Sequence, residues 1–173
     1  DIYALAPLQE GILYHHIAAA QGDPYLQYVM FAFDSFAHVE HFTQALQAVV
    51  SRHDILRTGV LWEGLAEPMQ VVWREARLVV ESVELDPAAG VVATQLHQRF
   101  DPRHYRLDIR QAPLMRVAFA QDPANQRWVG MLLFHHLVDD ATSLAVLSTE
   151  ISAHMLGQAQ RLPVSVPYRN YVA

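Results

Sequence analysis

Seven consecutive residues that are apolar or glycine, WVGMLLF at positions 128–134, constrain the fold more than any other stretch of the chain. The run follows the polar turn DPANQR and stops at two adjacent histidines, His135 and His136. A short apolar run between turn signals predicts a strand that is buried inside a folded protein. The rest of the chain therefore has to supply the elements that cover this strand.

The remaining periodicity predicts helices and strands in irregular alternation. We expect helices over 8–20, 39–55, 87–100 and 142–156. We expect further strands over 25–33, 58–62, 69–73, 78–83 and 114–120. In the first helix, Leu8, Ile12 and Leu13 are expected on one face, and Gln9 and Glu10 on the other. This order predicts an α/β (α+β) fold, with a mixed β-sheet flanked by helices.

Composition bounds the class of protein. The 173 residues are 52% hydrophobic and 17% charged, which is typical of one folded domain. Twelve basic and eighteen acidic residues give a formal charge of −6 without a basic segment, so no nucleic acid is expected as a partner. No apolar run reaches the roughly 20 residues that cross a bilayer, so no membrane is expected either. The absence of cysteine excludes disulfides, thiolate catalysis and cysteine-ligated metals.

The histidine pair after the apolar strand is the first candidate for chemistry. Successive strand side chains point to opposite faces, so we expect one of His135 and His136 to face a cavity and the other to pack inside. Imidazole suits proton transfer near neutral pH. Asp140 is placed to accept a proton from an imidazole or to pair with an arginine, Arg57 or Arg52. The alternatives are two core histidines held by hydrogen bonds, or a metal site, which needs three or four ligands.

Four segments of the chain, in order, resemble motifs of the condensation domains of nonribosomal peptide synthetases, whose fold is related to chloramphenicol acetyltransferase. HHLVDDA is similar to their HHxxxDG signature, and RHDILRTGV to RHExLRTxF. LAPLQEGILYH is similar to their N-terminal motif, and PYRNYV to the motif that follows the HHxxxDG helix. Ala141, Asp54 and Val60 depart from the family's glycine, glutamate and phenylalanine. None of these departures removes a reacting group.

The resemblance implies two similar lobes with the active site in a tunnel between them. Residues 1–173 would then be the N-terminal lobe without its C-terminal lobe, and we expect both chain ends to be internal to a larger protein. The resemblance assigns the catalytic position to His136, in a motif that His135 and Asp140 complete. It makes Asp140 and Arg57 a structural ion pair, with Arg52 as the less favoured partner.

A second histidine pair, in YHHIAAAQGD at 14–23, resembles the motif HH(I/L)xxxxGD of dual epimerisation/condensation domains. His15, His16, Gly22 and Asp23 match it at the required spacing. The loop RFDPRHYRLDIRQAPL resembles the same subgroup. The alternative is that the two histidines cap helix carbonyls or pack against a strand, and that Asp23 forms a turn.

The resemblance implies a cytoplasmic enzyme that inverts the last residue on an upstream carrier and joins it to the downstream amino acid. Its substrates would arrive on the 4′-phosphopantetheine arms of upstream and downstream peptidyl carrier proteins, beside an adenylation domain, with no metal or directly bound cofactor. His136 would act as a base or stabilise the tetrahedral intermediate. The isolated lobe is expected to be inactive. Alternatives are a plain condensation domain, a free-standing acyltransferase that uses coenzyme A thioesters, a non-catalytic lobe that docks carrier proteins, and a metallohydrolase.

Overall fold

A computed structural model of the chain describes residues 1–139 and 141–172, with the backbone alone for 141 and 142. The strands in these residues are β1 (Ile2–Ala4), β2 (Leu26–Phe33), β3 (Thr58–Leu61), β4 (Met69–Val72), β5 (Val79–Ser82), β6 (Met115–Asp122) and β7 (Arg127–His135). The α-helices are α1 (Pro7–Ala18), α2 (Phe36–Arg52), α3 (Val92–Arg99) and α4 (Ala141–Met155). Short 3₁₀ turns lie at Ile55–Arg57, Pro87–Ala89, Pro123–Asn125, Ala159–Arg161 and Tyr168–Tyr171.

The strands form two sheets. The larger sheet has the order β2-β7-β6-β5 and is mixed, because β5 runs parallel to β6 while the other pairs are antiparallel. The smaller sheet has the order β1-β4-β3 and is antiparallel throughout. The predicted mixed sheet is thus the larger one. The smaller sheet includes β1, a three-residue strand that the sequence pattern did not indicate.

The apolar run that becomes β7 is buried on both faces of the larger sheet. Leu132 and Phe134 belong to the core that α1, α2 and α4 cover on one face. Met131 and Leu133 belong to a second core, which α3 covers on the other face. The continuous rather than alternating apolar pattern follows from this double coverage.

Two local predictions were wrong. The helix expected over 87–100 is a 3₁₀ turn followed by α3, and Gly90, with a φ of +133°, separates the two. In α1, Ile12 and Leu13 are buried and Glu10 is exposed as expected, but Leu8 is 73% exposed and Gln9 only 5% exposed, the reverse of the expectation for these two residues. Gln9 is buried because its amide meets polar partners inside the protein, as described below. None of the helices in the described residues is both long and apolar enough to cross a membrane.

The register between β2 and β7 positions the site. These strands are antiparallel, and Leu26 at the start of β2 lies opposite His135 at the end of β7. The peptide N–H of His136 continues the pairing and donates to the carbonyl of Tyr25 at 2.9 Å. Residues just before β2 therefore lie beside the residues that end β7.

Candidate active site

The two histidine pairs, more than one hundred residues apart in the sequence, meet at Asp23. Oδ2 of Asp23 lies 2.5 Å from Nδ1 of His16 and 2.9 Å from Nε2 of His135. All three side chains are buried. Each histidine pair thus contributes one member to a single hydrogen-bonded network, which the sequence pattern alone did not predict.

The protonation of His135 follows from its two neighbours. Its Nδ1 accepts the peptide N–H of Leu137 at 3.1 Å, so its Nε2 carries the proton and donates it to Asp23. Burial lowers the pKa of His135, although the hydrogen bond to Asp23 opposes this effect. Burial alone would raise the pKa of Asp23, but hydrogen bonds from His135 and His16 hold it well below its usual range. In this network a neutral His135 therefore donates a hydrogen bond to the ionised carboxylate of Asp23.

Gly22 and the loop after α3 fix the position of Asp23. The peptide N–H of Asp23 donates to the carbonyl of Pro102 at 2.8 Å. Gly22 has a φ of +62°, and a Cβ there would overlap the carbonyl oxygen of Pro102. Arg106 donates to the carbonyls of His16 and Ala19 at 2.5 and 2.7 Å, which satisfies the end of α1. Both segments that resemble the dual subgroup therefore contact each other.

His136 differs from His135 in its surroundings. His135 is fully buried, whereas His136 is partly exposed and lines a cavity of about 140 Å³. Its ring lies parallel to that of Tyr25, with 6.4 Å between centroids and an angle of 9°. Its Nδ1 is buried and has no hydrogen-bond partner among the described residues. His135 therefore packs inside the protein at the end of β7, and His136, the first residue after the strand, faces the cavity.

Gln9 is a site residue that the sequence analysis missed. Its Nε2 donates at 3.0 Å to the carbonyl of Leu137, the residue directly after His136. Its amide also contacts that of Gln70, and its Oε1 accepts the peptide N–H of Ala6 at 2.9 Å. Gln9 therefore joins the N-terminal motif to the turn that carries His136. Gln9 and Glu10 are adjacent polar residues in PLQEGIL, and the sequence does not distinguish the buried amide from the exposed carboxylate.

Arg52, His53 and Asp54 join α2 to later parts of the chain. Nε of Arg52 and Nε2 of His53 lie 3.1 and 2.7 Å from the same Oε2 of Glu150, on α4. The carboxylate of Asp54 accepts the peptide N–H of Tyr168 at 3.0 Å. Tyr168 also lines the cavity beside His136. The second motif therefore anchors α4 and the last motif around the site.

Arg57 was expected to pair with Asp140. Asp140 lies outside the residues that the structure describes, so this ion pair stays a prediction. Nη1 of Arg57 donates to the backbone carbonyls of Trp73 and Arg74. The alternative partner, Arg52, has its described ion pair with Glu150 instead.

His15 and His16 have different environments, although they are adjacent. His16 is buried in the network, whereas His15 is exposed and lies near the rings of Tyr14 and Tyr25. The ring nitrogens of His16 and His135 and a carboxylate oxygen of Asp23 lie within 4.8 Å of one another. Atoms of these types can coordinate a metal ion. The same atoms already donate and accept hydrogen bonds among themselves, so we interpret the cluster as a hydrogen-bonded network.

Comparison with known proteins is consistent with these motifs. The family model described as the condensation domain matches residues 1–173. Malpinin synthetase of Mortierella alpina is 47% identical over 173 residues, which cover 100% of this chain and 2% of that protein. A linear gramicidin synthase of Brevibacillus parabrevis is 32% identical over 180 residues, which cover 100% of this chain and 4% of that protein. The chain spans a small fraction of the length of these curated relatives.

The fold also matches solved structures. The cyclization-docking bidomain of the nonribosomal peptide synthetase EpoB from Sorangium cellulosum has a TM-score of 0.76 at 23% identity, over 99% of this chain and 34% of that one. The condensation domain of the monacolin K polyketide synthase MokA has a TM-score of 0.74 at 20% identity, over 96% of this chain and 36% of that one. These likenesses confirm the predicted fold class, a mixed α/β fold of the chloramphenicol acetyltransferase type. The match of the family model over all 173 residues shows that the chain belongs to the condensation domain family.

Proposed function

We propose that this chain is the N-terminal lobe of a dual epimerisation/condensation domain, and that His136 is its catalytic residue. Condensation requires the amine of a downstream amino acid to attack a thioester carbonyl. An imidazole can take the proton of that amine or stabilise the charge of the tetrahedral intermediate. Epimerisation requires removal of the α-proton of the donor residue, which the same imidazole can accept, and return of a proton to the opposite face of that carbon from a second donor.

The position of His136 at the cavity is the observation that carries the proposal. Its ring lines the cavity, while its neighbour His135 is fully buried and bonded to Asp23. Apolar side chains, among them Ile12, Ile55 and Val138, make up much of the rest of the lining. Imidazole serves as a general acid or base in many enzymes, and the cavity would give a substrate access to this one.

The test of the catalytic assignment is His136→Ala in the complete domain within its synthetase. Loaded donor and acceptor carrier proteins supply the substrates, and mass spectrometry measures the dipeptide. We expect product formation to fall by about 100-fold or more, because general acid–base catalysis contributes that much. His38→Ala, at an exposed position of α2, is the matched control and should leave turnover unchanged. Near-normal product from His136→Ala would refute the assignment of His136 as the catalytic residue.

The epimerase part of the proposal rests on the first histidine pair. His16, Gly22 and Asp23 occupy the HH(I/L)xxxxGD positions, and Asp23 bonds directly to the first histidine of HHxxxD. A motif in contact with the catalytic turn is suitably placed to alter the stereochemistry of the donor. The plain condensation domain is the alternative, and chiral analysis of the donor residue in the product separates the two.

The partners and the state of the fragment are part of the same proposal. The substrates would be held on the 4′-phosphopantetheine arms of upstream and downstream carrier proteins, and the tunnel would be closed by the C-terminal lobe. We expect residues 1–173 alone to form no peptide bond, since half of the tunnel wall would be missing. Adding the C-terminal lobe should restore turnover in the condensation assay. Turnover by residues 1–173 alone would contradict the two-lobe tunnel.

A further inference from the structure

We infer that Asp23 is a positioning residue for His136, because its two carboxylate oxygens hold the catalytic turn through two separate chains of hydrogen bonds. The inference rests on the proposed role of His136. It gives the motif around the first histidine pair a specific task in the same site. Asp23 itself does not line the cavity and is not expected to touch a substrate.

The first chain of contacts runs from Oδ2 through His135. Oδ2 accepts the Nε2–H of His135 at 2.9 Å, and the Nδ1 of that ring accepts the peptide N–H of Leu137 at 3.1 Å. The His135 ring therefore connects the carboxylate to the peptide that immediately follows His136. The connection depends on the tautomer, since a proton on Nδ1 would face the N–H of Leu137.

The second chain runs from Oδ1 through Tyr25. Oδ1 accepts the peptide N–H of Tyr25 at 3.0 Å, and the carbonyl of Tyr25 accepts the peptide N–H of His136 at 2.9 Å. The Tyr25 ring also lies parallel to the His136 ring, at 6.4 Å between centroids. The backbone and the ring of His136 are thus both set by a residue that Asp23 fixes.

The carboxylate has little freedom to move from this position. His16 donates to the same Oδ2 at 2.5 Å, and the peptide N–H of Asp23 is bonded to Pro102. Asp23 is 2% exposed, so water does not compete for its oxygens. A residue of this kind determines where an imidazole points, and small displacements of a catalytic group are costly in rate.

Asp23→Asn tests the inference because it changes the hydrogen-bond pattern with little change in volume. Asn keeps one oxygen for Tyr25 but presents an amide donor to His135, whose Nε2 must then become an acceptor. The ring proton of His135 would then move from Nε2 to Nδ1, where it would face the peptide N–H of Leu137 and remove the hydrogen bond between them. Asp122→Asn is the matched control: Asp122 is also 2% exposed and bonded to Arg127, but it lies at the opposite end of the β6–β7 pair.

The experiment uses the complete domain with its carrier proteins and has two readouts. Nitrogen NMR of ¹⁵N-labelled histidine reports the tautomer of His135, whose signal is assigned by its loss in His135→Asn. Steady-state kinetics with loaded carriers report kcat and KM. We expect wild type to show the Nε2–H tautomer and Asp23→Asn to lose it. We also expect kcat of Asp23→Asn to fall about tenfold or more with an unchanged KM, while Asp122→Asn retains kcat.

Two results would overturn the inference: a wild-type His135 protonated on Nδ1, or equal kcat values for Asp23→Asn and Asp122→Asn. If Asp23→Asn does not fold, His135→Asn replaces it in the kinetics, because loss of the imidazole breaks the chain of hydrogen bonds from Oδ2 of Asp23 to the peptide N–H of Leu137. An unchanged kcat in that variant would likewise overturn the inference. A failure of the proposed function differs from a failure of this inference. If His136 is not catalytic, His136→Ala retains full turnover. The tautomer of His135 is measured by NMR and does not depend on product formation.

Discussion

Leu26 on β2 lies opposite His135 on β7, and this register brings Asp23 beside the end of β7. The first histidine pair lies in the last turn of a helix and the second at the end of a strand, so no local sequence pattern connects them. The two pairs are brought together by the antiparallel pairing of β2 and β7, which are eight and nine residues long. The turn that carries His136 is consequently supported by α1, by the start of β2 and by the strand end itself.

Gly22→Ala tests whether the close approach before Asp23 is required. A Cβ at Gly22 would overlap backbone atoms of Pro102 and Arg103, and φ is +62°. Gly64 is the control, because its φ is +74° but no atom lies within 4 Å of its Cβ position. We expect Gly64→Ala to cost about 1 kcal/mol of unfolding free energy and Gly22→Ala more than about 3 kcal/mol, measured by urea denaturation. Equal losses would show that the contact with Pro102 is unimportant.

Acidification should destabilise the domain in part through His135. Its pKa is lowered by burial in the folded state, so the unfolded state takes up a proton first as pH falls below about 6.5. The contribution of His135 is therefore complete above that pH and is lost on acidification. The low pKa of Asp23 acts in the same direction, but only below about pH 4, where the unfolded carboxyl is protonated.

Urea denaturation between pH 5 and 8 measures this effect. We expect the free energy of unfolding to fall less steeply below pH 6.5 in His135→Asn than in wild type, by at most about 1.4 kcal/mol per pH unit. His38→Asn, at an exposed position, should keep the wild-type slope. A wild-type slope in His135→Asn would mean that His135 has the same proton affinity in both states.

Arg57 and Asp140 should show coupling in a double-mutant cycle. An ion pair between Arg57 and Asp140 would leave each residue uncompensated when its partner is removed, so Arg57→Ala and Asp140→Asn should each destabilise the domain. We expect a coupling energy of about 1 to 3 kcal/mol between them. Arg52→Ala is the control, because Arg52 pairs with Glu150 at 3.1 Å and should act additively with Asp140→Asn. Additive losses for Arg57 and Asp140 would refute their pairing.

Chelation should leave the His16, Asp23 and His135 network intact. Ligands around one metal ion, at bonds of roughly 2.0 to 2.2 Å, are held about 3 Å apart or more. The 2.5 Å between Asp23 and His16 is shorter than that and is typical of a charge-assisted hydrogen bond. We expect dialysis against EDTA to leave the thermal midpoint unchanged. A lower midpoint that zinc restores would identify the cluster as a metal site.

The sequence predicted those parts of the molecule that local patterns encode. The β7 strand was predicted because its apolar run is continuous, and α1, α2 and α4 because their periodicity is local. The three-residue β1 has too few positions for any period to show. Gln9 was assigned to the wrong face because its burial depends on Gln70 and on the carbonyl of Leu137, far away in the sequence.

The same distinction applies to the site. The motifs indicated His136 and its neighbours, since each motif is a short run of residues. The contacts of Asp23 with His135, and of Asp54 with Tyr168, span 112 and 114 residues and depend on strand register and helix packing. A buried polar group requires a partner, but the sequence does not show which polar residues are buried.

Chiral analysis of the dipeptide made by the complete domain tests the proposed dual function most directly. The donor carrier is loaded with an L-amino acid, no separate epimerisation domain is present, and the product is hydrolysed and its donor residue resolved on a chiral column. A domain that epimerises before it condenses should give a D-configured donor residue, and His136→Ala should give neither inversion nor dipeptide. An L-configured donor residue in the wild-type product would contradict the dual function and reduce the domain to plain condensation.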